Sequence, residues 1–439
     1  MDALAKQVGV VLRRHVPHQA RIAVGLSGGI DSVVLLHLLV RQLRVSPQRM
    51  LAVHVNHQIS AHATDWARFC RDLCRKFGVK LRVVKVEVAR GNSTEAAARA
   101  ARQAVFADCG ADVVVLAHNR DDQAETLLLQ LLRGAGPRGL AAMPALKAGA
   151  GSMPAVLRPL LEMPRKTIAA YAQRHRLQWV EDESNQDRGY LRNFLRHDVL
   201  PLLEQKLPGA GATLARGARH QAEASDLLDT LAAQDLGPGR EGRHLSLALL
   251  KTLASHRARN VLRYFLRCNN LLMPEADRLD ELLRQALTAR SDARVCVDMG
   301  GAELRRFQNE LHIVRPLPRL VKSFAQAWSG RGVLKLPQLG GSLHLEKSKG
   351  EGIAAAVLRS APLLVRIRQG GEVLRPVPGG RSRTVRNLLQ EAVLPPWKRE
   401  RLPFLYVGGE LVAVVGLGVD AKFQPVAGGP GLLPVWVAD

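Results

Sequence analysis

Two rhythms of apolar and polar positions alternate through the first half of the chain. Short, mostly apolar runs at 21–26 (RIAVGL), 50–55 (MLAVHV), 80–88 (KLRVVKVEV) and 113–117 (VVVLA) predict strands. Over 31–42, 61–77, 93–109 and 120–133, apolar residues recur at three- to four-residue spacing, which predicts helices with one buried face. A further helix is expected within 1–20, ahead of the first strand. The strands start about thirty residues apart, the length of a βαβ unit. This alternation predicts an α/β fold, a parallel sheet with helices on both faces. Ligands of such sheets bind at the carboxyl edge of the strands, so that edge should gather 27–32, 54–57 and 118–122.

The pattern changes further on. Residues 140–160 read as a loop rich in Gly, Ala, Met and Pro, followed by an amphipathic helix to about His175 and a strand over 177–182. Residues 201–315 are mostly helical in pattern, with leucines at 227–231 and 279–287 expected in the core. Gly and Pro space short β segments through 316–362, and short strands follow at 364–367, 402–407 and 411–417. The expected domains are 1–205 (the α/β catalytic domain), 206–320 (a helical middle domain), 321–362 (a linker region) and 363–439 (a small α+β domain).

Between the first strand and its helix lies Ser27-Gly28-Gly29-Ile30-Asp31-Ser32. Glycines let the backbone turn tightly, and a helix N-terminus presents unpaired N–H groups to an anion. Ser27 and Ser32 add hydroxyl donors. Asp31 would repel a phosphate unless a cation bridged them, so it points to Mg2+; the simpler reading is an acid in the first turn of a helix. The run is not a Walker A loop, because Gly-Lys occurs nowhere in the chain. His54, with Asn56 and His57, ends the second strand, where a polar cap and a nucleotide contact are both open. Asn92 or Ser93 reads as a helix N-cap, and Arg99 and Arg102 share the face that follows, either to clamp a triphosphate or to meet solvent. Asp122 and Glu125 share a helix face at the ligand edge, where a metal ion or an ammonium substrate would fit. Arg192 and Arg196 share another face, read as phosphate binding, with surface salt bridging as the simpler alternative. The GxGxxG matches at 134–139 and 237–242 neither follow a strand nor open a helix, and carry no weight.

The formal charge of +24 points to a polyanionic partner, nucleic acid first, while 4% aromatic residues argue against broad base-stacking platforms. Nine basic residues against three acidic ones between Arg366 and Arg401, a net of +6, mark a candidate phosphate-backbone surface. The five cysteines have no CxxC or zinc spacing; Cys70 and Cys74, one turn apart, read as buried helix residues in a reducing cytoplasm. No apolar run approaches a membrane span, so no membrane partner is expected.

SGGIDS resembles the SGGxDS signature of the PP-loop, or N-type ATP pyrophosphatase, family. With HVNHQ, HNRDDQAETLLLQLLRGAGPRGLAAM, RPLL, EDESNQDRGYLRNFLR and the C-terminal RQGGEVLRP and LLQEAVLPPWKRERLP, the chain resembles the tRNA(Ile)-lysidine synthetase family nearly end to end. The resemblance implies an ATP-dependent ligase acting on the wobble cytidine of the CAU-anticodon isoleucine tRNA. Cytidine O2 would attack the α-phosphate of ATP, and the lysine amine would then displace AMP from C2. It implies ATP and Mg2+ as cofactors, with Ser27, Gly28, Gly29, Ile30, Asp31, Ser32, His54, Arg99, Arg192 and Arg196 at ATP and Asp31 at the metal. Asp122 and Glu125 would bind L-lysine and, with Asp31, carry catalysis. Arg138, Arg375, Arg383, Arg386, Lys398 and Arg399 are expected at tRNA, which makes the middle and last domains tRNA-binding. A homodimer and a cytoplasmic location complete these expectations. A PP-loop thiolase is the competing reading; it needs cysteines at the ligand edge, and none of the five is placed there.

Overall fold

The structure, a computed structural model, describes residues 2–58, 60–87, 94–237, 242–289, 295–321 and 323–438. The expected N-cap at Asn92 or Ser93, and 238–241 of the second GxGxxG match, lie outside them. The chain divides into two compact units, Met1–Leu231 and Ala232–Asp439.

The first unit opens with α1 (Ala3–His15), then alternates β1 (Ile22–Gly25), α2 (Ile30–His37), β2 (Met50–Asn56), α3 (Ala63–Phe77), β3 (Lys80–Lys85), α4 (Thr94–Ala107), β4 (Val113–Val115) and α5 (Arg120–Leu132). After α6 (Pro137–Leu140) come β5 (Leu146–Lys147), β6 (Ala155–Leu157) and α7 (Arg165–Arg174). The sheet order is β3-β2-β1-β4-β6-β5. All neighbours pair in parallel except β5, which runs antiparallel to β6. β1 and β4 are almost wholly buried because helices cover both faces, which is why their sequences are continuous apolar runs and not alternating ones. One face packs Val24, Val34, Leu35, Met50, Cys70, Ile168 and Tyr171 into a core with α1, α2, α3 and α7. The other packs Ala23, Val53 and Val114 against Val105 and Phe106 of α4. The chain order reverses between β1 and β4, so the crevice at their carboxyl ends is the ligand position of a doubly wound sheet.

Two features of this unit correct the sequence expectations. The segment 140–160 is not all loop, since it supplies β5 and β6. The segment 177–182 is not a strand: it pairs with no sheet strand, and Val180 N–H donates instead to the Gly28 carbonyl at 3.0 Å. The unit continues through α8 (Leu191–Phe194), a widened π turn at Leu195–Val199, α9 (Leu200–Lys206) and α10 (Ala210–Leu236). Leu227 and Leu228 on α10 are 72% and 37% exposed, so they are surface residues and not the core expected from their spacing.

The second unit has a helical layer, α11 (Leu247–Thr252), α12 (Ser255–Cys268) and α13 (Ala276–Thr288). It packs Leu250, Val261, Leu262, Phe265, Leu279, Leu282 and Leu283 into a single core with Leu304 and Leu311. Those last two leucines lie in an antiparallel sheet that the helical pattern did not foretell, formed by β7 (His244–Ser246), β8 (Cys296–Asp298), β9 (Glu303–Phe307) and β10 (Glu310–Val314). The rest is strand-rich: β11 (Ala325–Trp328), β12 (Leu334–Leu336), β13 (Gly341–Lys349), β14 (Ile353–Ala354), α14 (Val357–Ser360), β15 (Leu363–Arg366), β16 (Val373–Leu374), β17 (Arg383–Thr384), α15 (Val385–Glu391), α16 (Pro396–Arg399), β18 (Phe404–Val407), β19 (Glu410–Val414), β20 (Gly418–Val419) and β21 (Pro430–Ala438). Strands from 325–354 pair with β15 and β21, so that stretch is woven into the C-terminal sheets. Among the described residues, no helix is long and apolar enough to cross a membrane.

Candidate active site

At the end of β1 the chain turns through Ser27, Gly28 and Gly29 into α2. Gly28 has φ +91°, and a Cβ there would lie 2.8 Å from Val180 Cγ2 and 3.3 Å from Cys70 Sγ, so both conformation and space demand glycine. The two hydroxyls brace the turn. Ser32 Oγ accepts from Gly28 N–H at 3.2 Å and donates to the Gly29 carbonyl at 2.9 Å, and it lies 3.1 Å from Ser27 Oγ. Ser27 Oγ accepts from Gly29 N–H at 3.3 Å. With Ile30 opening α2, the braced turn leads straight into a helix N-terminus, a position suited to phosphate.

Asp31 stands in the first turn of α2, and its Oδ1 is buried without a hydrogen-bond partner. Burial, and secondly the charge of Asp122, raise its pKa to about 6 against the lowering effects of Arg165, Asn119 and Arg196. A buried carboxylate oxygen with no donor, beside a second carboxylate and a phosphate cradle, is the hard-oxygen setting that Mg2+ prefers. Among the described residues no cluster of three or more His, Cys, Asp or Glu side chains could hold a metal alone. A cation held here would therefore draw its remaining ligands from phosphate and water.

On the neighbouring strand end, Asn119 caps α5 in a capping box. Its Oδ1 accepts from Asp121 and Asp122 N–H at 2.9 and 3.1 Å, and Asp122 Oδ2 accepts from Asn119 N–H at 2.9 Å. The box aims Asp122 and Glu125 inward; Glu125 is 1% exposed. Arg192 donates from Nε to Glu125 Oε2 at 2.8 Å and from Nη2 to Asp122 Oδ1 at 3.2 Å. Arg196, on the π turn, donates from Nε to Glu125 Oε1 at 2.6 Å and from Nη2 to Asp122 Oδ1 and Glu125 Oε2 at 3.1 and 2.9 Å. The sequence reading gave the two arginines to phosphate and the two acids to lysine. The structure instead joins all four in one network, and both guanidiniums are engaged on carboxylates.

His54 is also committed: its ring lies 4% exposed, and Nδ1 donates to the Leu26 carbonyl at 2.9 Å. Burial holds its pKa below the usual histidine value. Arg99 is exposed on α4 and acts electrostatically on His118 and Arg158 at the ends of β4 and β6. Sequence reasoning placed His118 at the ligand edge without a role and gave none to the buried Arg158, although Arg158 belongs to the RPLL run. The cysteines nearest the cradle are buried, and burial pushes the Cys70 and Cys74 thiols up to about 12 and about 11, so neither is a thiolate nucleophile.

The residues expected at tRNA are distributed over both units. In the first, Arg138 pairs with Asp229 at 3.3 Å and remains 60% exposed. In the second, Arg375, Arg386 and Lys398 are exposed. Arg383 pairs with Glu391, and Arg399 donates from Nε to the Leu394 carbonyl. Arg383 lies in β17 and Arg386 in α15.

Known families match this arrangement in three segments. Residues 3–203 match the PP-loop domain, 245–312 the TilS substrate binding domain and 363–436 the TilS substrate C-terminal domain. A tRNA(Ile)-lysidine synthase from Nitrosomonas europaea is 41% identical over 97% of this chain and 93% of its own length. One from Coxiella burnetii is 37% identical over 92% of this chain and 90% of its own. Matched over nearly its whole length by such relatives, the chain belongs to the tRNA(Ile)-lysidine synthase family.

Proposed function

We propose that this ATP-dependent ligase joins L-lysine to C2 of the wobble cytidine in a CAU-anticodon isoleucine tRNA, through an adenylated cytidine. The observation that carries the proposal is the placement, on one sheet edge, of a phosphate cradle at 27–32 beside the buried acid pair Asp122 and Glu125. The names of the relatives supply the substrate class.

In the first step, cytidine O2 forms a bond to the α-phosphorus of ATP and the bond to the β-phosphate bridging oxygen breaks, releasing pyrophosphate. The cradle N–H groups and Ser27 and Ser32 bind and orient the phosphates. Asp31 would hold a Mg2+ ion, which when bound would neutralise charge on the phosphates. In the second step, the lysine amine bonds to C2 and the C2–O2 bond breaks, with AMP as leaving group. Lysine arrives as an ammonium ion. Asp122 and Glu125 attract it, and a carboxylate takes the proton that frees the lone pair.

A thiolase reading has little support, because the thiols closest to the cradle are buried and held in the neutral form. Mass spectrometry of the wobble nucleoside after incubation with lysine, ATP and purified tRNA tests the proposal. A lysine adduct on cytidine is the expected product, and a 2-thio product or an unmodified base refutes it.

A further inference from the structure

Arg158 follows directly on β6 and is 6% exposed. Its Nη1 donates to the Pro144 carbonyl at 2.8 Å, and its Nε is buried with no partner among the described residues. Burial first, and then the positive charge of Arg99, push its pKa down to about 10. On β4, the next strand, Val115 is in register with Leu157 and Leu116 N–H donates to the Leu157 carbonyl at 2.9 Å, so Leu116 stands level with Arg158 and His118 follows two residues further along the same sheet edge. His118 Nδ1 is likewise buried without a partner, and burial and the surrounding arginines hold the ring neutral, its pKa lowered to about 3. A buried guanidinium whose charged neighbour is another cation is a costly arrangement unless an anion completes it.

We infer that Arg158 and His118 form a seat for the α-carboxylate of the free amino-acid substrate, the negative counterpart of the ammonium seat at Asp122 and Glu125. This rests on the reading of the site given under Proposed function. Three observations favour a carboxylate over another phosphate. The phosphates already have a cradle at the end of β1. Arg192 spans the two seats, bonding to both acids while also acting on His118. A polyanion placed beside an acid pair would be repelled, whereas a zwitterion presents each sign to its opposite. Burial also argues against an RNA backbone, which is met by exposed side chains, and guanidinium geometry suits a carboxylate.

The test compares lysine with cadaverine, which is lysine without its carboxylate, and with lysinamide, which blocks it. The readout is amine transfer to preformed adenylated tRNA. The wild type should favour lysine over both analogues by more than tenfold in kcat/KM. Equal use of cadaverine by the wild type overturns the seat without any variant. In Arg158→Gln the lysine-to-cadaverine ratio should collapse at least tenfold, and Arg158→Lys should restore part of it. Should Arg158→Gln fail to fold, His118→Gln should lower the same ratio. An unchanged lysine-to-cadaverine ratio in a folded variant overturns the inference. If the wild type transfers no amine at all, the underlying function fails instead, which is a separate outcome.

Discussion

Arg196 grips Glu125 with two parallel bonds, Nε to Oε1 at 2.6 Å and Nη2 to Oε2 at 2.9 Å, across 71 residues of sequence. Glu125 is thus satisfied by the protein's own cations before any substrate arrives. Asp122 is also filled, with one oxygen on Arg192 and Arg196 and the other on the Asn119 N–H. The proposed lysine ammonium would therefore enter a site whose two acids already balance two arginines, and would have to displace or share an arginine contact. This gives the pair a structural role alongside the one proposed for it toward lysine.

Glu125→Gln should then lower stability as well as activity. It leaves two partly buried guanidiniums short of a counter-charge, a change that costs about 3 kcal/mol. Urea unfolding should show the loss, and adding Arg196→Gln should recover part of it. Strict additivity in that double-mutant cycle would mean the ion pair seen between Glu125 and Arg196 does not couple them in solution.

Asp31→Ala should behave in the opposite way. The substitution removes a buried carboxylate oxygen that has no donor and that burial and Asp122 already disfavour. The melting temperature should hold or rise, while AMP transfer to tRNA falls by at least a hundredfold. A variant that both melts lower and adenylates well would place Asp31 in the scaffold and not at the phosphates.

The contrast between these two sites tracks what the sequence makes legible. β1, β2 and β4 were readable because burial on both faces makes each strand a continuous apolar run. The cradle was readable because the serine hydroxyl bonds that fold the turn all lie within five residues. β6 was missed because three residues after a Gly- and Pro-rich loop carry no period, yet pairing with β4 makes Ala155–Leu157 a strand. The stretch 177–182 has strand-like residues but finds no strand partner, and its Val180 braces the cradle instead. The coupling of Arg192 and Arg196 to Asp122 and Glu125 depends on contacts about seventy residues apart, which helical spacing within either segment cannot express. Arg158 stands in the RPLL run, but the burial of its Nε without a partner is a property of the fold alone.

The basic C-terminal region makes a prediction about salt. Arg375, Arg386 and Lys398 are exposed, whereas Arg383 is tied to Glu391 and Arg399 to a carbonyl. If the exposed three meet tRNA phosphates, neutralising each should reduce the slope of log K against log salt by about 0.7 to 0.9. Arg383→Gln should change it less, because Glu391 already offsets that charge. Filter binding across a salt series measures this, and equal slopes for Arg386→Gln and wild type would remove that residue from the interface.

The final prediction concerns His37, at the end of α2 and away from the cradle. Its Nδ1 lies 2.8 Å from the Tyr171 hydroxyl, and its ring sits 5.0 Å from that of His175 and 5.8 Å from that of Phe77. Burial first, then the positive charges of His175, Arg41 and Lys76, lower its pKa to about 4. In the unfolded chain the same group titrates near about 6.5. Between those values the unfolded chain binds a proton that the folded one refuses, so stability is complete above about pH 6.5 and falls as the pH drops toward 4. The melting temperature of the wild type should decline across that window. His37→Gln, which cannot take up a proton, should flatten this part of the profile while losing some stability at neutral pH through poorer packing against Tyr171. The other histidines and the carboxylates titrate in both proteins, so the difference between the two curves isolates His37. Parallel curves from pH 6.5 to 4 would show that His37 titrates alike in the folded and unfolded chains, and the buried histidine–tyrosine contact would then carry no pH dependence.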